Sequence, residues 1–250
     1  MPIIVIAANE ISFDVQGQGD CAMLFVHGIG TDFTIWKPLV DHFSSRFKCY
    51  RFDWKGFGES RLNVTSNFAP SILAKELKAI IEQLNIKLDM YIIADNAGAL
   101  AALQADIDDL LHCKGIIALN IADKFKMKAK YKQLYKSLID STKLKMVDKM
   151  ALKEQFEKKQ VLIESWLKEI SSIDMSTKTE YVETPVDLII GKDNNFVTFK
   201  DCEGTVGRIP KSRVVQMDGG DFIVLENPSA VIQEIESFIG KYIPSLEKKT

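Results

Sequence analysis

Eight short apolar runs rich in β-branched residues punctuate this chain, at residues 3–7 (IIVIA), 11–15 (ISFDV), 22–28 (AMLFVHG), 47–53 (FKCYRFD), 90–95 (MYIIAD), 114–120 (KGIIALN), 185–191 (PVDLIIG) and 212–218 (SRVVQMD). The first two alternate as half-exposed edge strands do, and the later ones are near-continuous, the pattern of strands buried on both faces. Between them, residues 35–43, 72–85, 98–111 and 229–242 space their apolar side chains three and four apart, as helices with one buried face do. Strands alternating with helices predict a parallel sheet covered on both faces, with ligands at the carboxyl ends of the strands. With 250 residues, of which 46% are hydrophobic, the chain is long enough to close one such α/β domain.

One segment breaks the rhythm. Residues 122–183 are helical in pattern, so the expected organisation is a core of 1–121 and 184–250 with an inserted helical cap of 122–183 over the ligand face. The first half of the insertion is rich in lysine: Lys124, Lys126, Lys128, Lys130, Lys132 and Lys136, then Lys143, Lys145, Lys149, Lys153, Lys158 and Lys159. A solvated helix face explains these lysines more simply than a basic lid for an anionic ligand, and Asp140, Asp148, Glu154 and Glu157 dilute them. Met127, Met146, Met150, Phe125, Tyr131, Tyr135, Phe156 and Trp166 read as core of the cap before they read as pocket.

The net charge of −2 gives no global attraction to nucleic acid or to an anionic membrane. Cys21, Cys49, Cys113 and Cys202 are far apart and have no histidine at ligand spacing, so they read as isolated reduced thiols, with no metal expected. MPIIVIAANE has neither the basic start nor the length of a signal peptide, and a cytoplasmic protein is expected. GGD at 219–221 is a turn before a helix, and NNFVTFKDCEGTVG has glycines without the strand-to-helix context of phosphate binding, so no cofactor is expected.

Chemistry is suggested by four stretches taken together. LFVHGIGTDFTIW (24–36) and YRFDWKGFGES (50–60) carry His27-Gly28 and the pattern Asp53, Gly56, Gly58, Ser60; YIIADNAGALA (91–101) makes a strand-to-helix turn of small residues; GGDFIVLENP (219–228) makes another near the end. In this combination the chain resembles the α/β-hydrolases. The resemblance implies an eight-stranded, mostly parallel sheet whose second strand is antiparallel, helices on both faces, and a helical cap after strand six.

It also implies where a catalytic triad would stand. A serine nucleophile needs an imidazole to take its proton and a carboxylate to orient that imidazole. By the family pattern the nucleophile position falls on Asn96, whose carboxamide is a poor nucleophile; a register shifted to Asp95 would misplace Gly98. The acid position falls on Asn194, or on Asp193 if the loop is shorter, with Asp123 after strand six as another placement. The histidine position falls on Asp221. Only His27, His42 and His112 exist in the chain, all far upstream, so a Ser-His-Asp mechanism is excluded by inventory.

A backbone-built oxyanion hole survives the loss of a triad. The resemblance assigns its donors to the N–H groups of Ile29 and Ala97, the second at a helix N-terminus. His27, Gly28, Ile29, Asp95, Asn96, Ala97 and Asp221 are therefore the expected binding residues, with Asn194 free to hydrogen-bond Asp221. The expected function is a non-hydrolytic member of the fold, holding a small carbonyl or carboxylate ligand or a protein partner at the former active site. Two alternatives stand beside it: a lyase, isomerase or cyclase using Asp221 as general acid or base, and hydrolysis by an unusual route.

Overall fold

The structure, a computed structural model, describes residues 1–63, 67–86, 89–124 and 131–242. Lys126, Lys128, Lys130, Phe125 and Met127 lie outside the described residues. In chain order the elements are β1 (Ile3–Ile6), β2 (Asn9–Gln16), β3 (Ala22–Val26), a single 3-10 turn (Phe33–Trp36) running into α1 (Lys37–Phe43), β4 (Lys48–Phe52), α2 (Pro70–Gln83), β5 (Met90–Asp95) and α3 (Asn96–Ile107). The chain continues with β6 (Gly115–Leu119), α4 (Tyr131–Asp140), α5 (Met146–Lys158), α6 (Gln160–Ile170), a 3-10 turn (Thr179–Tyr181), β7 (Val186–Gly191), α7 (Phe199–Val206), β8 (Ser212–Met217), α8 (Ile223–Glu226) and α9 (Pro228–Tyr242).

The eight strands form one sheet in the order β1-β2-β4-β3-β5-β6-β7-β8. β2 runs antiparallel to β1 and β4, and every pair from β4 to β8 is parallel. This is the expected sheet with its antiparallel second strand, and burial follows the sequence pattern. β3, β5, β6 and β7 are buried at every residue, whereas the edge strand β1 leaves Ile3 and Val5 exposed. Alanine and glycine dominate the start of α3 because that helix is buried almost throughout, against α2 on one side and β5 and β6 on the other. Gly98 is one point where this matters: a Cβ there would lie 2.6 Å from the His27 carbonyl oxygen.

The helices between β6 and β7 close over the carboxyl end of the sheet. Trp166 is fully buried and stacks on Phe68 with ring centroids 4.8 Å apart, with Phe57 at 5.2 Å. Phe156 is also fully buried, beneath Tyr131 and Tyr135. These aromatics are core, as expected, while Met146 and Met150 are exposed. The lysines of this region are largely tied to local partners: Lys158 pairs with Glu154 at 2.5 Å, Lys143 bridges Asp193 and Asp218 at 2.8 and 3.0 Å, and Lys149 caps the carbonyls of Ile139 and Ser141. That is the solvated-face arrangement rather than a row of cations aimed inward.

Helix α7 falls where the sequence suggested loose glycines. Its start is a capping box in which the Thr198 hydroxyl accepts the Asp201 N–H at 3.2 Å and the Asp201 carboxylate accepts the Thr198 N–H at 3.1 Å. Thr-x-x-Asp was the signal available in the sequence. Among the described residues no helix is long and apolar enough to cross a membrane. All four cysteines are free; Cys21, Cys49 and Cys202 are buried, and burial pushes the thiols of Cys49, Cys113 and Cys202 up to about 12.

Candidate functional site

The turn from β5 into α3 is as tight as the small residues suggest. Asn96, the first residue of the helix, has φ 32°, in the left-handed region that asparagine tolerates better than other side chains with a Cβ. Asn120, directly after β6, has φ 52° for the same reason. Both lift their side chains over the carboxyl edge of the sheet.

Asn96 does not present its amide to a ligand. Its Oδ1 accepts the N–H of Ile29 at 2.9 Å and the N–H of Ala97 at 2.5 Å, so the two N–H groups expected as oxyanion-hole donors are already occupied by this side chain. Its Nδ2 donates to Asp95 Oδ2 at 2.8 Å. Gly28 is the surface on which the amide rests, since a Cβ at residue 28 would run into the Oδ1, Cγ and Nδ2 atoms of Asn96. The sequence pointed to an open pair of donors with Asn96 beside them; instead Asn96 fills them.

Asp95 is 4% exposed, and its Oδ1 has no hydrogen-bond partner among the described residues. Burial, reinforced by the charge of Asp221, pushes its carboxyl well above the ordinary value. Asp221 is 5% exposed and better served: its carboxylate accepts the Ser137 hydroxyl at 2.5 Å, the Asn195 N–H at 3.0 Å and Asn195 Nδ2 at 2.8 Å. Burial raises Asp221 too, and those three hydrogen bonds pull it back.

The partner of Asp221 is therefore Asn195, and the expectation of Asn194 is corrected by one residue. Asn194 turns back on its own loop, its Oδ1 accepting the N–H groups of Phe196 and Val197 at 3.0 and 2.8 Å. Asp193 is exposed and bound to Lys143. Asp123 is engaged elsewhere: its buried carboxylate is clamped by the half-exposed Arg208 at 2.6 and 2.7 Å and by Thr179, which ties the turn after α7 to the loop after β6.

Asn120 was not singled out from the sequence. Its Nδ2 donates to the carbonyls of Gly220 and Asp221, and its Oδ1 accepts the Gly191 N–H, so it laces the ends of β6 and β7 to the loop that carries Asp221. Ser137, from α4, was also missed; its sequence context is an unremarked helix face.

His27 is fully buried and structural. The Trp54 N–H donates to its Nε2 at 2.9 Å, which leaves Nδ1 to donate to the Gly28 carbonyl at 2.9 Å. Burial pushes its basicity down to about 4. Asp53 ties the same region from below, its carboxylate accepting the N–H groups of Phe33 and Glu59, while Ser60 bridges Asp53 O and the Ser12 N–H. His42 binds Glu236, and exposed His112 lies near Asp109.

The space over the site is small. A cavity of about 30 Å³ is lined by Ile29, Asn96, Asn120, Leu134, Asn194 and Asp221, with Leu167, Ile170 and Phe196 completing the wall. Among the described residues that is room on the scale of water. Outside it, a polar cleft of about 330 Å³ runs past Ser137, Ser141, Lys143, Asn195 and Glu226 to solvent. Among the described residues no group of histidine, cysteine and carboxylate side chains is placed to hold a metal ion.

A mostly parallel eight-stranded sheet with an antiparallel second strand and a strained turn from β5 into α3 at its carboxyl edge define the fold. The chain has the alpha/beta hydrolase fold: the family model of that description matches residues 22–138. Solved structures agree. An enol-lactonase from Burkholderia xenovorans is 16% identical with TM-score 0.76, over 95% of this chain and 99% of that one. An E-2-(acetamidomethylene)succinate hydrolase is 17% identical with TM-score 0.79, over 95% and 98%. A thermophilic esterase from Thermogutta terrifontis is 19% identical with TM-score 0.71, over 96% and 98%. At these identities the likeness is one of fold.

Proposed function

We propose that this protein is a non-hydrolytic member of its fold, with the former active site closed by its own asparagine and α4–α6 as the cap. The observation that carries this is the position of Asn96 Oδ1, bonded to both the Ile29 and the Ala97 N–H. A substrate carbonyl needs those donors, and it would have to expel the amide to reach them. Asp221 in place of a histidine adds a second reason, because no imidazole stands there to take a proton from a nucleophile and return it to a leaving group. The named neighbours are hydrolases; the departure rests on residues of this chain.

The binding role follows from the same geometry. A small carboxylate or carbonyl ligand, or an acidic side chain of a protein partner, enters only by displacing Asn96 from its two donors, so Ile29, Asn96, Ala97 and Asp221 would meet it, with His27, Gly28 and Asp95 holding those groups in place. Two measurements test this. Fluorophosphonate labelling and p-nitrophenyl ester turnover are expected to be nil; an adduct in the pocket, or turnover lost in Asn96→Ala, overturns the proposal. A thermal-shift titration with small carboxylates separates binding from scaffold, since only a ligand of the folded state raises the melting temperature with concentration.

A second reading draws on the burial of Asp221 and its raised pKa: an acid–base enzyme of the lyase, isomerase or cyclase type. It requires a turnover that Asp221→Asn abolishes while folding survives. The cavity of about 30 Å³ weighs against it, because a substrate must fit beside Asp221.

A further inference from the structure

We propose that Asn96 is a modification site, at which water hydrolyses the side-chain amide in the folded protein to leave aspartate and ammonia. This rests on the filled-site geometry of the function proposed above and goes beyond it: there the amide is a plug, here it is also an electrophile.

Four observations converge on the Asn96 carboxamide. The first is polarisation. Addition of water to Cγ would place negative charge on Oδ1, and that atom already accepts two backbone N–H bonds, at 2.9 and 2.5 Å, one of them at the N-terminus of α3. Donors fixed on the atom where charge develops are what accelerates acyl chemistry. The second is access. One face of the amide lies against Gly28, and the side chain also lines the cavity of about 30 Å³. A water needs roughly 10–15 Å³ and polar partners, and Asn120, Asn194 and Asp221 supply them in the same cavity.

The third observation is a base. Asp221 shares that cavity, and Ser137 and Asn195 hold its carboxylate in place. The fourth is an acid at the leaving group. Asn96 Nδ2 is 2.8 Å from Asp95 Oδ2, and the other oxygen of Asp95 is buried with no partner. Burial and the nearby Asp221 charge push the Asp95 carboxyl well above its ordinary value, which favours the protonated form that can donate to the departing nitrogen.

The step balances without any oxidant or reductant. The water oxygen bonds to Cγ while one of its protons passes to Asp221. The Cγ–Nδ2 bond breaks as Asp95 delivers its proton to Nδ2, and ammonia leaves. The proton on Asp221 and that of the new carboxylic acid then restore Asp95 and convert ammonia to ammonium. The net change is amide plus water to carboxylate plus ammonium.

The ordinary route to asparagine loss is disfavoured here. That route needs the Ala97 nitrogen to attack Cγ and close a ring, but the Ala97 N–H is committed to Oδ1 and its residue is fixed in the first turn of α3. Ring closure gives a mixture with isoaspartate. Direct attack by water gives aspartate alone, which separates the two by product.

The full chain is aged at neutral pH in ordinary and in heavy-oxygen water and digested with trypsin; the peptide from Leu88 to Lys114 holds Asn96 as its one asparagine. The expected result is a gain of one mass unit in ordinary water and three in heavy-oxygen water, located at residue 96, as aspartate without isoaspartate. Urea-unfolded protein is expected to show no such gain over the same time. Asp221→Asn is expected to slow the reaction about a hundredfold, the range of a lost general base. Ser137→Ala removes one of the three bonds to the Asp221 carboxylate, and a partial slowing there, with unchanged near-ultraviolet circular dichroism, keeps the test valid if Asp221→Asn fails to fold. An unchanged mass, equal rates in folded and unfolded chain, or an isoaspartate mixture overturns the proposal. An unmodified Asn96 in a protein also inert to fluorophosphonate and esters overturns this inference alone and leaves the proposed function standing.

Discussion

Replacing Asn96 tests the plug directly, because the structure gives both the bonds lost and the backbone strain left behind. The Asn96 amide makes three hydrogen bonds, to the Ile29 N–H, the Ala97 N–H and Asp95 Oδ2. At about 0.5–1.5 kcal/mol net for each, their loss costs roughly 1.5–4.5 kcal/mol. Asn96→Ala also places a residue without a local polar side chain at φ 32°, a conformation that costs L-residues about 1–2 kcal/mol and asparagine less. The sum for Asn96→Ala is about 2.5–6.5 kcal/mol. Asn96→Gly loses the same bonds and escapes the strain, partly offset by its greater chain entropy, and is expected to be about 1 kcal/mol more stable than Asn96→Ala.

Urea denaturation of the wild type and both variants measures these differences, provided the slope with denaturant is unchanged. In a thermal melt the alanine variant should fall by about 10 °C, at roughly 2–4 °C per kcal/mol for a chain of this size. Two results would refute the reasoning. An alanine variant within about 0.5 kcal/mol of wild type, the range of neutral surface changes, would mean that the three bonds are worth nothing net. A glycine variant less stable than alanine would mean that residue 96 is not strained.

Gly28→Ala is expected to cost about 2 kcal/mol by pushing the Asn96 amide off its two donors, and the cost should largely vanish in an Asn96→Gly background, where the clash is gone; additivity of the two would show that they do not touch. Asp123→Asn should cost about 2–3 kcal/mol by equilibrium unfolding, less than for a fully buried pair because Arg208 is 39% exposed; a neutral result would mean the clamp adds nothing. Two buried groups set opposite pH slopes. Asp53 is pushed up to about 7 from an ordinary value of 3.8, so its contribution is present below 3.8 and is lost as pH rises toward 7. His27 is pushed down to about 4 from 6.5, so its contribution is present above 6.5 and is lost as pH falls toward 4. Between about 4 and 6.5 the two nearly cancel in the wild type; Asp53→Asn should unmask stability rising by about 1.4 kcal/mol per pH unit, and His27→Gln the reverse slope. Unfolding free energies across that range check the slopes, and a variant with the wild-type slope would refute the assignment.

The sheet was legible because its signal is distributed. Each of β3, β5, β6 and β7 is a buried parallel strand whose whole side-chain set must be apolar, and no local detail can disguise that. Helix α7 was hidden because Gly204 and Gly207 lower its propensity while its Thr198–Asp201 capping box restores it. The site was legible in position and not in arrangement. Asn96, Ile29, Ala97 and Asp221 do meet, but whether an amide beside two N–H donors assists a ligand or replaces it depends on one rotamer. The family pattern likewise placed Asn194, or Asp193 with a shorter loop, at the acid position opposite Asp221; an Asx turn rotates Asn194 back to Phe196 and Val197 and brings Asn195 forward instead.

The two buried carboxylates explain why this arrangement stays internal. Asp95 and Asp221 are both raised by burial, yet their surroundings separate them: Asp95 has one neutral donor and an unpartnered oxygen, whereas Asp221 has three donors on its carboxylate. Asp95 is therefore pushed further toward its protonated form while Asp221 is the readier of the two to carry charge, a division of acid and base that enzymes use when a substrate lies between the groups. Between these two lies Asn96, joined to Asp95 through Nδ2 and facing Asp221 across a cavity of about 30 Å³. On the function proposed above, the acid, base and amide donors that would otherwise face a substrate are directed at the protein's own side chain, so the residues proposed to close the site to an external ester set the conditions for the chemistry proposed at residue 96.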